Sequence, residues 1–219
     1  MNKNYFWKEI MNWYSYNKRN FAWRNTKNPY HILIAEILLQ QTNAVKVEPA
    51  YLEIIKKFSE VSKLAKANLS KLEEIIKPLG LVYRAENLIK CAKIINNKYS
   101  GNFPGKKAEL KELPGVGDYI SDAVLCYAFN EEVVPIDTNF LRVFTRIDGF
   151  DSKYSDKSRD KDLIAQIQDY YKFDSYNRKL EFKEYNFAVL DFASKVCRAR
   201  NPRCDKCCLK NKCCYFKSL

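Results

Sequence analysis

Four cysteines toward the C-terminal end, Cys197, Cys204, Cys207 and Cys213, stand in the spacing C-x6-C-x2-C-x5-C. Four thiolates so close in sequence, with basic residues between them, can wrap one compact inorganic centre. A [4Fe–4S] cluster takes four Cys ligands. Zinc is the rival, but structural zinc sites usually pair two short C-x2–4-C knuckles, and only one is present here. Cys208 and Cys214 adjoin the expected ligands and read as bystanders, while Cys91 and Cys126 fall in helical patterns and read as core thiols. No flavin or electron-donor motif accompanies the set, so a structural centre is expected and not a redox-catalytic one.

Carboxylates offer the second kind of chemistry. Asp137, in VVPIDTNFLRVFTR (133–146), follows an apolar approach and precedes a helical pattern. A carboxylate there can cap a helix, and it can also oppose positive charge that develops on a substrate. Glu36 lies inside ILIAEILL, so it is expected to face solvent, a partner or a cleft, and partial burial would raise its pKa. The run LKELPGVGDYISDAV (110–124) reads as helix, tight turn, helix. Gly115 and Gly117 permit a turn whose backbone N–H groups, with those around Val116, point outward at the start of the second helix. Such a nest grips a phosphate oxygen without reading sequence. In isolation LPGVG could be any helix–helix turn; in a strongly basic chain it points to DNA. The chain has a single histidine, His31, which reads as an ordinary helix-start residue, and it has neither GxxxxGK[ST] nor GxGxxG. Multi-histidine zinc chemistry, nucleotide hydrolysis and Rossmann cofactors are therefore unsupported.

The elements that must position these groups are helical. Apolar periodicity marks helices over 5–16, 31–42, 45–58, 61–66, 71–77, 83–98, 107–113, 118–129, 138–147, 159–171 and 182–194, and alternating strand patterns are almost absent. The class is all-α. With 219 residues, 47% of them hydrophobic and 14% aromatic, the chain can bury a sizeable core. A formal net charge of +12 predicts a polyanionic partner. No apolar run is long enough to span a membrane, and the N-terminus has no secretory pattern, so a reducing, cytoplasmic location is expected. After Lys195 the chain is basic and cysteine-rich, the mark of a small irregular structure held by metal.

FAWR (21–24), NPYHILIAEILLQQT (28–42), RAENL (84–88), LPGVGDY (113–119), IDTNFLRV (136–143) and the four-cysteine tail, in this order, resemble the endonuclease III/MutY superfamily of helix-hairpin-helix DNA glycosylases. The resemblance implies a two-lobed fold. One lobe would be a six-helix barrel over 25–135, and the other would combine 1–24 with 136–219 and carry the cluster loop, 197–213. It further implies a monomer, associated with the nucleoid, that binds double-stranded DNA with a mismatched or damaged base across a cleft between the lobes and flips the target nucleotide. Asp137 would stabilise the sugar cation or activate water, and Glu36 would assist the departing base. Tyr119 would line the pocket near the sugar and Gln40 or Gln41 would fill the gap in the duplex. Gly115, Val116 and Gly117 would hold the backbone, with Arg142 and the basic loop on other phosphates. Strand-cutting members carry a Lys where this chain has Tyr119, so base removal without strand cleavage is expected. Chain length and the C-terminal half resemble the mismatch-specific thymine glycosylases, with thymine or uracil opposite guanine as substrate. The E-x-x-L-Q-Q-T pattern from Glu36 to Thr42 resembles the adenine glycosylases. GLVYRAENL (80–88) looks shorter than the matching loop of either group, which bears on recognition of the opposite base.

Overall fold

The computed structural model describes residues 1–170 and 180–219. Its helices are α1 (Lys3–Asn17), α2 (Pro29–Leu39), α3 (Ala44–Lys57), α4 (Val61–Ala65), α5 (Leu69–Ile76), α6 (Arg84–Lys98), α7 (Lys107–Leu110), α8 (Asp118–Phe129), α9 (Thr138–Asp148), α10 (Lys161–Tyr170), α11 (Phe182–Lys195) and α12 (Cys214–Lys217). The chain is all-α: among the described residues there is no strand. None of the described helices is long and apolar enough to cross a membrane. The final residue of the helix expected over 159–171, Tyr171, lies outside the described residues.

The chain divides into two compact units, one of Asn20–Phe129 and one of Met1–Arg19 with Asn130–Leu219. In the first, α2 is the central element. Asn28 caps it by accepting from Tyr30 N at 3.0 Å, Pro29 presets its first turn, and every residue from Ile32 to Leu38 is buried. Its neighbours include α8, itself buried from Ile120 to Tyr127, along with α3 and α6. α2 stops at Leu39, three residues before the end expected from its pattern. Gln41 takes a left-handed φ of 54°, which ends the helix, and Asn43 then caps α3 by accepting from Val45 N at 2.9 Å. α7 is also shorter than expected, because Leu113 precedes Pro114 and proline disfavours helical geometry in the residue before it.

In the second unit α1, α9 and α11 bury an aromatic cluster. The Phe6 ring lies 5.1 Å from Phe144, and Trp7 lies 5.2 Å edge-on to Tyr185. The fully buried Asp191 of α11 accepts from Arg19 N at 2.8 Å and from Arg19 Nε at 2.5 Å, which fixes the exit of α1. A buried carboxylate satisfied by two donors avoids the cost of an unpaired charge.

Candidate functional site

In the unit Asn20–Phe129 the hairpin between α7 and α8 is built around Gly115, whose φ of +80° suits glycine. A Cβ there would stand 2.9 Å from Asn87 Nδ2, so the turn sits directly on α6. Gly117 differs. Its φ is not positive, and a Cβ would meet no atom within 4 Å, so its surface is open. Val116 is buried under the turn, while Gly115 and Gly117 are exposed. Asp118 opens α8 and pairs with Lys111 Nζ at 2.7 Å, which holds its carboxyl below the usual aspartate range. Lys107 lies 3.6 Å from the same carboxylate and 2.8 Å from that of the buried Asp122. Lys107 and Lys111 thus lie beside the start of α8, both ion-paired with Asp118.

The corner after α2 is fastened to this hairpin, since Gln40 Nε2 donates to Gly115 O at 3.0 Å. Gln40 is thereby occupied, and the exposed, left-handed Gln41 is the side chain left projecting. Tyr119 is half-buried in the first turn of α8, and His31 is half-buried in the first turn of α2, where burial lowers its pKa. Glu36, expected to face solvent, a partner or a cleft, loses the first alternative. It does not face solvent but is 4% exposed on the face-all-round apolar α2. The carboxyl therefore sits in a desolvated setting.

In the other unit Asp137 caps α9. Oδ1 accepts from Phe140 N at 2.8 Å and Oδ2 from Asn139 Nδ2. Burial raises the Asp137 pKa, against the opposing pull of those hydrogen bonds, the Asn139 N–H and Arg142. Arg142, expected on phosphate, makes several bonds within its own unit. Its Nε donates to Cys197 O at 2.9 Å, and its Nη2 donates to Asn139 Oδ1 at 3.0 Å and Ala193 O at 3.2 Å. It is a strut between the Asp137 cap, α11 and the first cysteine, and burial lowers its pKa.

Cys197, Cys204, Cys207 and Cys213 line one cavity, partly open to solvent, together with Phe192 and Arg146; Cys208 and Cys214 do not line it. Among the described residues no three Cys, His, Asp or Glu side chains converge on a single ion position. Arg146 Nη1 lies 3.7 Å from Cys197 Sγ and donates to Arg198 O at 2.7 Å, and its guanidinium covers the Tyr215 ring at 4.8 Å. Cys91 and Cys126 are core thiols, as expected, and burial pushes the Cys91 thiol up to about 12.

The sequence reading passed over Arg84 and Asn87, both on α6. A cation at the first position of a helix runs against the helix dipole, and that was the available signal for Arg84.

Residues 34–168 match the model of the "HhH-GPD superfamily base excision DNA repair protein" family. Over 213 residues the chain is 35% identical to a thymine-DNA glycosylase of Aeropyrum pernix, covering 96% of this chain and 94% of that protein. It is 34% identical over 211 residues to an adenine DNA glycosylase of Buchnera aphidicola subsp. Baizongia pistaciae, covering 95% of this chain but 57% of that protein. Its backbone is similar to the solved structure of a thermostable thymine-DNA glycosylase, with a TM-score of 0.88 and 31% identity over 100% of this chain and 98% of that one.

Proposed function

Because the chain belongs to the HhH-GPD superfamily of base excision DNA repair proteins, we propose that it is a DNA glycosylase that hydrolyses the N-glycosidic bond of thymine or uracil opposite guanine. The observation that carries this choice of base is the end-to-end likeness to thymine-DNA glycosylases in both sequence and backbone. The partner is double-stranded DNA, which the charge of +12 favours through counterion release, and a nucleoid-associated location follows from that partner. The chain acts as a monomer. The hairpin unit supplies the phosphate grip at Gly115–Gly117, the wedge Gln41 and the buried acid Glu36; the other unit supplies Asp137 and the cysteine loop.

The reaction passes through a sugar cation as the C1′–N bond breaks. Asp137, fixed by two hydrogen bonds in a desolvated setting, opposes that charge or takes a proton from the attacking water. Glu36 donates to the departing base or orders a water against it. Tyr119 lines the pocket beside the sugar and offers no amine, so no Schiff base forms and the abasic strand stays intact.

The four cavity-lining cysteines suit a [4Fe–4S] cluster. Their thiols line a shared space, and the single C-x2-C knuckle among them suits a multi-iron group better than zinc. Such a cluster would cross-link the basic loop, so that Arg198, Arg200, Arg203 and Lys206 are presented to phosphate on a rigid frame.

A second reading, adenine removal, is favoured by Glu36 and the QQT corner and by the likeness to adenine glycosylases. Single-turnover assays on G:T, G:U and A:8-oxoguanine duplexes, developed with alkali, decide between them. Release from G:T and G:U is expected, and release confined to A:8-oxoguanine would reverse the assignment.

A further inference from the structure

Arg84 is fully buried, and every one of its hydrogen-bond partners is a neutral oxygen. Nη1 donates to Leu38 O and, at 3.4 Å, to Gln40 O, while Nη2 donates to Thr42 Oγ1 at 3.1 Å. The same guanidinium reaches a second segment. Nη2 donates to Leu79 O at 3.2 Å and Gly80 O at 2.9 Å, and Nε donates to Leu81 O at 3.2 Å. One side chain therefore ties the corner after α2 to the loop before α6.

Each tied segment carries an exposed residue in the left-handed region, Gln41 at φ 54° and Leu81 at φ 47°. Such conformations are costly for a non-glycine residue and persist only where the surroundings over-determine them. The surroundings here are the Arg84 donors, which hold the carbonyls or hydroxyl on both sides of Gln41 and the three carbonyls from Leu79 to Leu81. One turn further along α6, Asn87 abuts Gly115, and Gly115 in turn accepts from Gln40. A buried charge with no carboxylate partner is costly unless hydrogen bonds satisfy it, and those of the Arg84 guanidinium all go to these two segments.

We propose that Arg84 is a positioning residue for base flipping: it sets the backbone of Gln41 and Leu81 so that both side chains enter the duplex together. The inference rests on the glycosylase reading above. Arg84 touches neither base nor sugar and acts through the two segments it binds.

The test compares the parent chain with Arg84→Met, Arg84→Lys, Gln41→Ala and the Arg84→Met/Gln41→Ala double variant. The probes are an unmodified duplex, for affinity, and a G:T duplex with 2-aminopurine beside the thymine, whose fluorescence rises as the stack opens. Arg84→Met is expected to bind the unmodified duplex like the parent. Its single-turnover base release should fall about a hundredfold, as expected for misplacement at a distance from the chemistry. Its fluorescence rise should fall to that of Gln41→Ala, and the double variant should lose little more, since coupled residues do not add. Arg84→Lys should recover part of the signal, because one ammonium reaches only some of the six acceptors. Parent-like fluorescence and rate in Arg84→Met would overturn the proposal. So would duplex affinity that falls in step with rate, which marks a general loss of structure, or single-variant losses that simply add. If Arg84→Met does not fold, Arg84→Lys decides by the same two readouts. Should the parent release no base from any duplex, the glycosylase reading fails, and the fluorescence on binding still shows whether Arg84 governs stack opening.

Discussion

Replacing Asp137 with asparagine separates the capping role of this side chain from its charge. Asn caps helices about as well as Asp, and its oxygen can go on accepting from Phe140 N, so α9 should keep its start. What disappears is the negative charge that opposes the sugar cation. Removing one preorganised electrostatic partner costs ~3 kcal/mol, about a hundredfold or more in rate. Stability should move the other way. Burial raises the Asp137 pKa in the folded chain, which therefore holds the proton more tightly than the unfolded chain does. The resulting stabilisation is fully present below the ordinary aspartate pKa and is lost as pH rises through the raised one. At neutral pH the ionised, desolvated carboxylate is a burden that asparagine does not carry. Asp137→Asn should thus unfold at the same temperature as the parent or higher at neutral pH, and that advantage should vanish in acid. Asp137→Ala, which removes the cap as well, should lose about 1 kcal/mol. The assay is single-turnover base release from a G:T duplex under excess protein, alongside thermal unfolding at both pH values. A near-parent rate for Asp137→Asn would refute the catalytic role. A loss of rate matched by equal losses of stability and DNA affinity would refute the separation of charge from cap.

Gly115→Ala forces a left-handed alanine, costing ~1–2 kcal/mol, and drives its methyl against Asn87, so unfolding should occur at lower temperature. Gly117→Ala meets no neighbour and should leave stability unchanged while weakening duplex binding; unchanged affinity would remove Gly117 from the phosphate grip. Tyr119→Lys places an amine at the expected sugar position and should introduce strand cleavage with a borohydride-trappable crosslink, absent in the parent. Efficient trapping by the parent would show another lysine at work. Purified protein should be brown with about four irons per chain, and Cys204→Ala should lose that iron where Cys208→Ala, outside the cavity, keeps it; a colourless zinc protein would end the cluster assignment.

Spacing and periodicity were enough to write the all-α class, the LPGVG turn and the assignment of Cys91 and Cys126 to the core, because each rests on a pattern within a few residues. Gly115 had to be glycine for a reason the turn itself contains, and Cys208 could be set aside because its neighbour completed the spacing. Where distant segments compete for the same donors, the sequence fell short. α2 was expected to run to Thr42, yet Arg84, more than forty residues on, gathers the carbonyls at its end and Gln41 turns left-handed. The resemblance put Arg142 on phosphate, but its Nε and Nη2 bond Cys197, Asn139 and Ala193, partners that helical periodicity cannot name. Glu36 sat in an apolar run in the sequence, and only the packing of α2 against its neighbours decided that it would be buried and not turned to solvent. Local backbone preference is written in neighbouring residues, whereas the fate of a charge depends on which distant oxygens the fold brings to it.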